Sequence, residues 1–393
     1  MAKSWFDRNP KKTVLILILI FLAAVIYGSE KMLAYKSGGI GFSFALPDRA
    51  VRLREYRPGL QEKTAPTPTE LKASDSLENR LYLLRIDKNG FIEPSRKYAH
   101  ADKSLVFLGG STTECRYNQE DERFPYLTGV LLEKELGIKI NSYNGARAGN
   151  NSLHSADILL NKVIPLKPNV VIVMHNINDM VTLLYEKSYW NLDQPRAVIF
   201  DINKEVLTNY WKIRRDRMIP HLAAALREFG WKLRQRFKSG KGARGKAEPD
   251  EFARLRGQKL QVDAPEMVAQ FEMNLQTIIN ICKARNIPVV LMTMANRLKE
   301  HPDPVIHEAL KKLGKGQGIS YQQFKALFDG FNEAVRRKAA ENGAVLIDLA
   351  KEIPPERAFI YDLVHFNGNG CKRAAEIIKD QLKPLLEPAS GTP

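Results

Sequence analysis

Cysteine is scarce. Three thiols in 393 residues, Cys115, Cys282 and Cys371, are too few and too scattered for a disulfide scaffold or a zinc site. At most one intramolecular disulfide can form, and buried reduced thiols are the plainer expectation. His100, His154, His175, His221, His301 and His307 show no metal-ligand spacing, so no metal is expected. No phosphate loop and no dinucleotide fingerprint occur, and no cofactor is expected. No internal repeat is visible. Only one long apolar run exists, which excludes a polytopic membrane bundle. Acidic residues are in deficit, with 44 Asp and Glu against 60 Lys and Arg and a net charge of +16. Otherwise 44% hydrophobic and 26% charged residues are ordinary for a globular chain and exclude wholesale disorder.

A basic balance suits anionic partners such as lipid head groups or acidic glycans. The excess is local. Residues 203–260 hold 16 Lys and Arg against 6 Asp and Glu. The one long apolar run, Thr13 to Gly28, follows Lys3, Arg8, Lys11 and Lys12. The residues just after it carry no net charge. By the positive-inside rule the N-terminus is cytoplasmic and everything after Gly28 lies outside. The run predicts a single-pass signal anchor in a bacterial inner membrane, with the main domain periplasmic or extracellular. A cleaved signal peptide is the rival, but Ile26 and Leu22 stand where cleavage wants small residues. Nucleic acid is not an expected partner on that side of the membrane.

Residues 29–75 read as a linker, with Pro58, Pro66 and Pro68 and no apolar period. Residues 76–100 read as a short lead-in. From residue 101 to 387, Val- and Ile-rich runs alternate with helical stretches. The expected strands are Leu105–Leu108, Ile138–Ser142, Val170–Met174, Pro288–Met292 and Val345–Ile347. The expected helices are Tyr126–Leu136, Leu153–Val163, Met267–Ala284, Tyr321–Asn342 and Cys371–Leu386. This alternation predicts a three-layer α/β/α domain with a five-stranded parallel sheet. An insertion over 186–262 interrupts it. Within the insertion, His221 to Lys238 predicts an amphipathic helix with Leu222, Leu226, Phe229, Leu233 and Phe237 on one stripe. Three roles fit that helix: packing on the main domain, lying on the membrane, or binding an acidic polymer. A flexible Gly- and Lys-rich loop, 239–249, and a short C-terminal tail, 388–393, complete the chain.

Ligands of parallel α/β sheets bind at the carboxyl ends of the strands. The first strand ends in Gly109-Gly110-Ser111, a turn that can present a nucleophile at a helix start. Late in the chain, Asp362 precedes His365 by three residues, so its carboxylate can fix the imidazole. Asn144 to Asn150 and His175 to Asp179 follow the second and third strands and offer small residues and amide donors suited to an oxyanion. Glu114 and Cys115 read as packing or surface positions.

In this order and spacing the four segments resemble blocks I, II, III and V of the SGNH hydrolases, the superfamily of the GDSL esterases and lipases. The resemblance covers about residues 105–385. It rests on Gly109-Gly110-Ser111, Asn144 through Gly149, Asn178-Asp179 and Asp362 through His365. It implies a flavodoxin-like sandwich, with Ser111 as nucleophile, His365 as base and Asp362 as orienter. It also implies an oxyanion hole of the Ser111 and Gly149 N–H groups and the Asn178 amide. Arg147, Asn150 and Asn176 are the candidates for substrate contact. Two positions depart from the pattern: Gly110 replaces the family's Asp, and Asn176 replaces the Gly that opens block III. A side chain at 176 is expected to narrow the site or to alter the loop geometry. The implied activity is ester hydrolysis, of O-acetyl or short acyl groups, on an acylated glycan or lipid. An O-acyltransferase for an exported polysaccharide would use the same triad. A non-catalytic glycan-binding or assembly component is the rival of a different class.

Overall fold

The computed structural model describes residues 5–36, 53–95, 98–190, 211–238 apart from Ile213 and Arg217, and 258–387. The chain divides into two compact units. One joins Met1–Asp48 to Phe200–Arg244, and the other comprises Arg49–Ile199 and Gly245–Pro393.

The second unit is built on a five-stranded parallel sheet. Its strands are β3 (Lys103–Gly109), β4 (Ile140–Asn144), β5 (Val170–Met174), β6 (Val289–Met292) and β7 (Val345–Ile347). They run in the order β4-β3-β5-β6-β7, every neighbouring pair parallel. The central strands are buried along their length, as covered parallel strands must be, and so read as continuous apolar runs. Helices close the faces because each presents one apolar stripe. In Ala264–Lys283 the stripe is Phe271, Leu275, Ile278, Ile279 and Cys282, and Phe271 stacks on Phe331 of Tyr321–Asn342 at 4.8 Å. The Asp263 carboxylate accepts from Glu266 N–H at one helix start, and a Ser320–Gln323 capping box opens the other. The connection from β3 runs to one side of the sheet and that from β5 to the other. The strand order reverses between these two strands, and at their carboxyl ends such a switch point is where ligands of parallel sheets find a crevice.

Every expected strand and helix of this domain is present, with ends moved by a few residues. The stretch Leu153–Val163 is α-helical only over Ser152–Ile158 and then widens into a π turn, Leu159–Val163. The expected linker over 29–75 is a different matter. From residue 53 the chain belongs to the sheet unit. It forms strand β1 (Gln61–Thr64), paired antiparallel with β2 (Tyr82–Arg85), and a capped helix, Pro68–Lys72. Leu84, Ile86 and Ile92 make a small core there with Tyr56 and Leu60. Buried Arg297 then fastens Asp75 with two bonds, at 2.7 and 2.8 Å. Composition suggested a linker because this segment has few apolar residues; contacts with the rest of the sheet unit hold it instead.

In the other unit the apolar helix spans Pro10–Lys36, longer than the run 13–28, and Pro10–Leu33 is long and apolar enough to cross a membrane. Its 24 residues would reach about 36 Å. The basic helix runs Pro220–Lys238. Its first turn packs against the apolar helix, where the Glu30 carboxylate accepts from the N–H groups of His221 (2.9 Å) and Leu222 (2.6 Å). That is anion capping of a helix N-terminus. Leu226 and Phe229 are exposed. The loop 239–249, residues 191–210 of the insertion and the tail 388–393 lie outside the described residues.

Candidate active site

Strand β3 delivers Ser111 to the crevice. At Gly109 and Gly110 other groups crowd the space that a side chain would take. A Cβ at 109 would stand 2.3 Å from Thr113 Oγ1 and 2.9 Å from the Met174 carbonyl. A Cβ at 110 would stand 2.2 Å from the Asn178 amide nitrogen. At Gly110, where the sequence departs from the family pattern, a side chain would have to displace the Asn178 amide. Ser111 opens the short helix Ser111–Glu114, so its N–H has no intrahelical partner. Cys115 ends that helix at φ +55°.

His365 comes from a closed loop before the helix Gly368–Leu386. Tyr361 N–H donates to the His365 carbonyl at 2.9 Å, and Ile360 bridges Phe366. Inside the loop Asp362 Oδ1 accepts from the N–H groups of Val364 (2.9 Å) and His365 (2.8 Å). Its Oδ2 meets His365 Nδ1 at 2.7 Å, and His365 Nε2 meets Ser111 Oγ at 2.7 Å. The ring of Tyr361 lies parallel to the imidazole. Burial by itself would lower the His365 pKa, but the Asp362 carboxylate outweighs it and raises the pKa above the ordinary value. Burial would likewise raise Asp362, but its bonds to His365 and Val364 hold it below the usual carboxylate range. A serine hydroxyl on an imidazole that is itself held by a carboxylate can lose its proton to the ring as it attacks a carbonyl.

The loop after β4 supplies the facing wall. Asn150 N–H donates to the Arg147 carbonyl at 3.0 Å, closing a turn whose third residue, Gly149, sits at φ +78°. That conformation favours glycine. Among the described residues the Gly149 N–H donates to no protein acceptor. Asn178 Nδ2 donates to the Asn150 carbonyl at 2.9 Å, joining the wall to the helix Ile177–Glu186 after β5.

The three candidates for substrate contact are otherwise engaged. Arg147 donates to the Glu55 carbonyl at 2.9 Å and lies over the Tyr56 ring. The Asn150 side chain exchanges bonds with Arg54, accepting at 2.7 Å and donating at 3.2 Å. Asn176 does not narrow the site. It is buried and turned into the core, donating to the Phe328 carbonyl (3.0 Å) and Asn332 Oδ1 (2.9 Å).

Sequence reasoning missed the groups that hold the wall. Glu114 is fully buried; it accepts from Tyr56 OH at 2.8 Å and from the N–H of Ala148, next to Gly149. Burial raises its pKa, against the opposing pull of Arg116 and these hydrogen bonds. Arg54 donates to the Ala148 carbonyl at 2.7 Å. A carboxylate one helical turn past Ser111 was a usable signal for Glu114. Arg54 and Tyr56 carried none, because they sit in a stretch without periodicity. Among the described residues no cluster of His, Cys, Asp and Glu could hold a metal ion.

The profile of the GDSL-like lipase/acylhydrolase family matches residues 107–373. Solved structures similar to the chain include a GDSL-like lipase from Parabacteroides merdae, 15% identical, covering 72% of this chain and 96% of that one, with a TM-score of 0.41. An acetylxylan esterase from Geobacillus stearothermophilus is 14% identical over 74% of this chain and 96% of that one, with a TM-score of 0.39. No functionally curated protein matches the chain.

Proposed function

The chain belongs to the GDSL-like lipase/acylhydrolase family and is a hydrolase of ester bonds, and we propose that it works through an acyl-serine at Ser111, on O-acetyl or other short acyl groups. The observation that carries this reading is the unbroken run Ser111 Oγ, His365 Nε2, His365 Nδ1, Asp362 Oδ2, each contact 2.7 Å. His365 takes the Ser111 proton as Oγ attacks the ester carbonyl. The tetrahedral oxyanion is held by the N–H groups of Ser111 and Gly149 and by the Asn178 amide. His365 then protonates the leaving alcohol. Water, deprotonated by the same ring, releases the acid. Transfer to a sugar hydroxyl would share every step up to the acyl-serine.

Turnover of p-nitrophenyl acetate by the detergent-solubilised full chain, beside Ser111→Ala, tests the reading. Activity lost in the variant is the expected result. Equal turnover in both would sink it, and faster turnover of the octanoate ester would sink the short-acyl part.

The proposed setting is extracytoplasmic, with Pro10–Leu33 across the inner membrane and the basic helix on its outer surface. Exposed Leu226 and Phe229 beside Arg and Lys support that surface role. A peptide of residues 211–238 should gain helicity on vesicles containing anionic lipid. Identical spectra with and without vesicles would remove the role.

A further inference from the structure

We infer that Cys115 and Cys371 form an intramolecular disulfide that ties the turn bearing Ser111 to the helix that follows His365. The two sulfurs lie 3.7 Å apart although 256 residues separate them in sequence. Both residues are buried, and in the structure both stand as free thiols in contact. Cys115 directly follows the helix Ser111–Glu114, in a left-handed conformation that is uncommon for a non-glycine residue. Cys371 occupies the first turn of Gly368–Leu386. The walls around the pair are fixed. Asn118 Nδ2 donates to the Phe366 carbonyl at 2.9 Å, Phe124 meets Phe366 edge to face, and Arg123 Nε donates to the Cys115 carbonyl at 3.3 Å. Two of the three thiols in the chain thus meet at the seam between the nucleophile and its base. The third, Cys282, is buried in the helix Ala264–Lys283.

The chemistry is thiol–disulfide exchange with a protein or low-molecular-weight disulfide as the oxidant. One cysteine thiolate attacks the oxidant, and the first thiol of the oxidant leaves. The second cysteine then attacks the mixed disulfide and releases the second. The S–S bond forms, two thiol protons are lost, and the oxidant departs as two thiols. Burial raises the Cys115 thiol pKa, so little thiolate exists in the folded chain. The bond therefore closes while the chain folds and is protected afterwards. The inference is independent of the acyl-serine mechanism, since its readout is covalent.

The test is to extract the full chain in detergent, denature it in excess N-ethylmaleimide without reductant, digest it and map the peptides by mass spectrometry. The expected product joins the Cys115 and Cys371 peptides, is two hydrogens lighter than the free pair, and disappears on reduction. Cys282 carries maleimide and serves as the internal control. Maleimide on both Cys115 and Cys371 would overturn the inference. In a second measurement, reduction during unfolding should lower the Tm of the native chain by about 5 °C or more. The Cys371→Ala variant should show no such response. A native Tm indifferent to reductant would equally overturn the proposal.

Discussion

Ser111 and Ser155 each hold a histidine ring nitrogen at 2.7 Å, and each histidine has an aspartate beyond it. The first set is Ser111, His365 and Asp362; the second is Ser155, His175 and Asp179. Residue types and the serine–histidine distance agree. The surroundings do not. The His365 and Asp362 side chains are 27% and 23% exposed, while those of His175 and Asp179 are 1% and 0%. Asp362 meets its histidine at 2.7 Å, but Asp179 stands 3.5 Å from His175. Asp179 is shared instead among Ser152 N–H (2.8 Å), Ser152 Oγ (2.5 Å) and Tyr189 OH (2.8 Å). Burial lowers the His175 pKa, whereas Asp362 raises that of His365. The Ser155 N–H is consumed by the Asn151 carbonyl, while that of Ser111 opens a helix. A serine, a histidine and an aspartate in sequence therefore do not make a nucleophile. Solvent access, a short histidine–carboxylate bond and unspent N–H donors beside the hydroxyl distinguish the Ser111 set and support its proposed role. The buried set pins the helix Ser152–Ile158 to the segment that carries Asn178.

Substitutions that separate the two sets follow, from the largest effect to the smallest. Ser111→Ala should cost about 10⁴-fold or more in kcat on p-nitrophenyl acetate and abolish labelling by a fluorophosphonate. Asp362→Asn should cost roughly 10³–10⁴-fold. It should also move the pH profile. His365 works as a base only when neutral and its pKa is raised, so kcat/KM falls as pH drops through a midpoint above about 6.5. Without the Asp362 charge that midpoint should move to lower pH; an unmoved acid limb would dissociate Asp362 from the base.

Gly110→Ala should drive its Cβ into the Asn178 amide and cost about 10²–10³-fold in kcat, the scale of one lost oxyanion donor. Restoring the family residue with Gly110→Asp should be no better. Glu114→Ala removes the acceptor of the Ala148 N–H and should lower kcat about 10-fold with KM nearly unchanged. Smallest is Ser155→Ala: kcat should stay within about twofold, while loss of the bond to buried His175 costs about 1–3 kcal/mol of stability, read as a lower Tm. A kcat loss at Ser155 comparable to that at Gly110 would erase the distinction between the sets.

Much of this was legible in the chain itself. Apolar runs buried on both faces, helices with a 3.6-residue stripe and glycines before a serine are local patterns, and local physics acts on them directly. Five strands and their helices follow from such patterns, while Ser111, Asp362 and His365 stood out as candidates only through the order of their segments and the resemblance it carries. Tertiary contact decided the rest. Residues 53–72 are ordered by surfaces that distant segments create, so their composition misled. Asn176 turns into the core because Phe328 and Asn332, more than 150 positions away, meet it there. Glu114 became a brace for the Gly149 turn, and Cys115 met Cys371, because a parallel sheet gathers the ends of separate strands at one edge. Sequence alone determines which residues can form a strand, a cap or a hydroxyl–imidazole pair. Which of two such pairs is left open to solvent depends on what the remainder of the chain covers, and that exists only once the chain has folded.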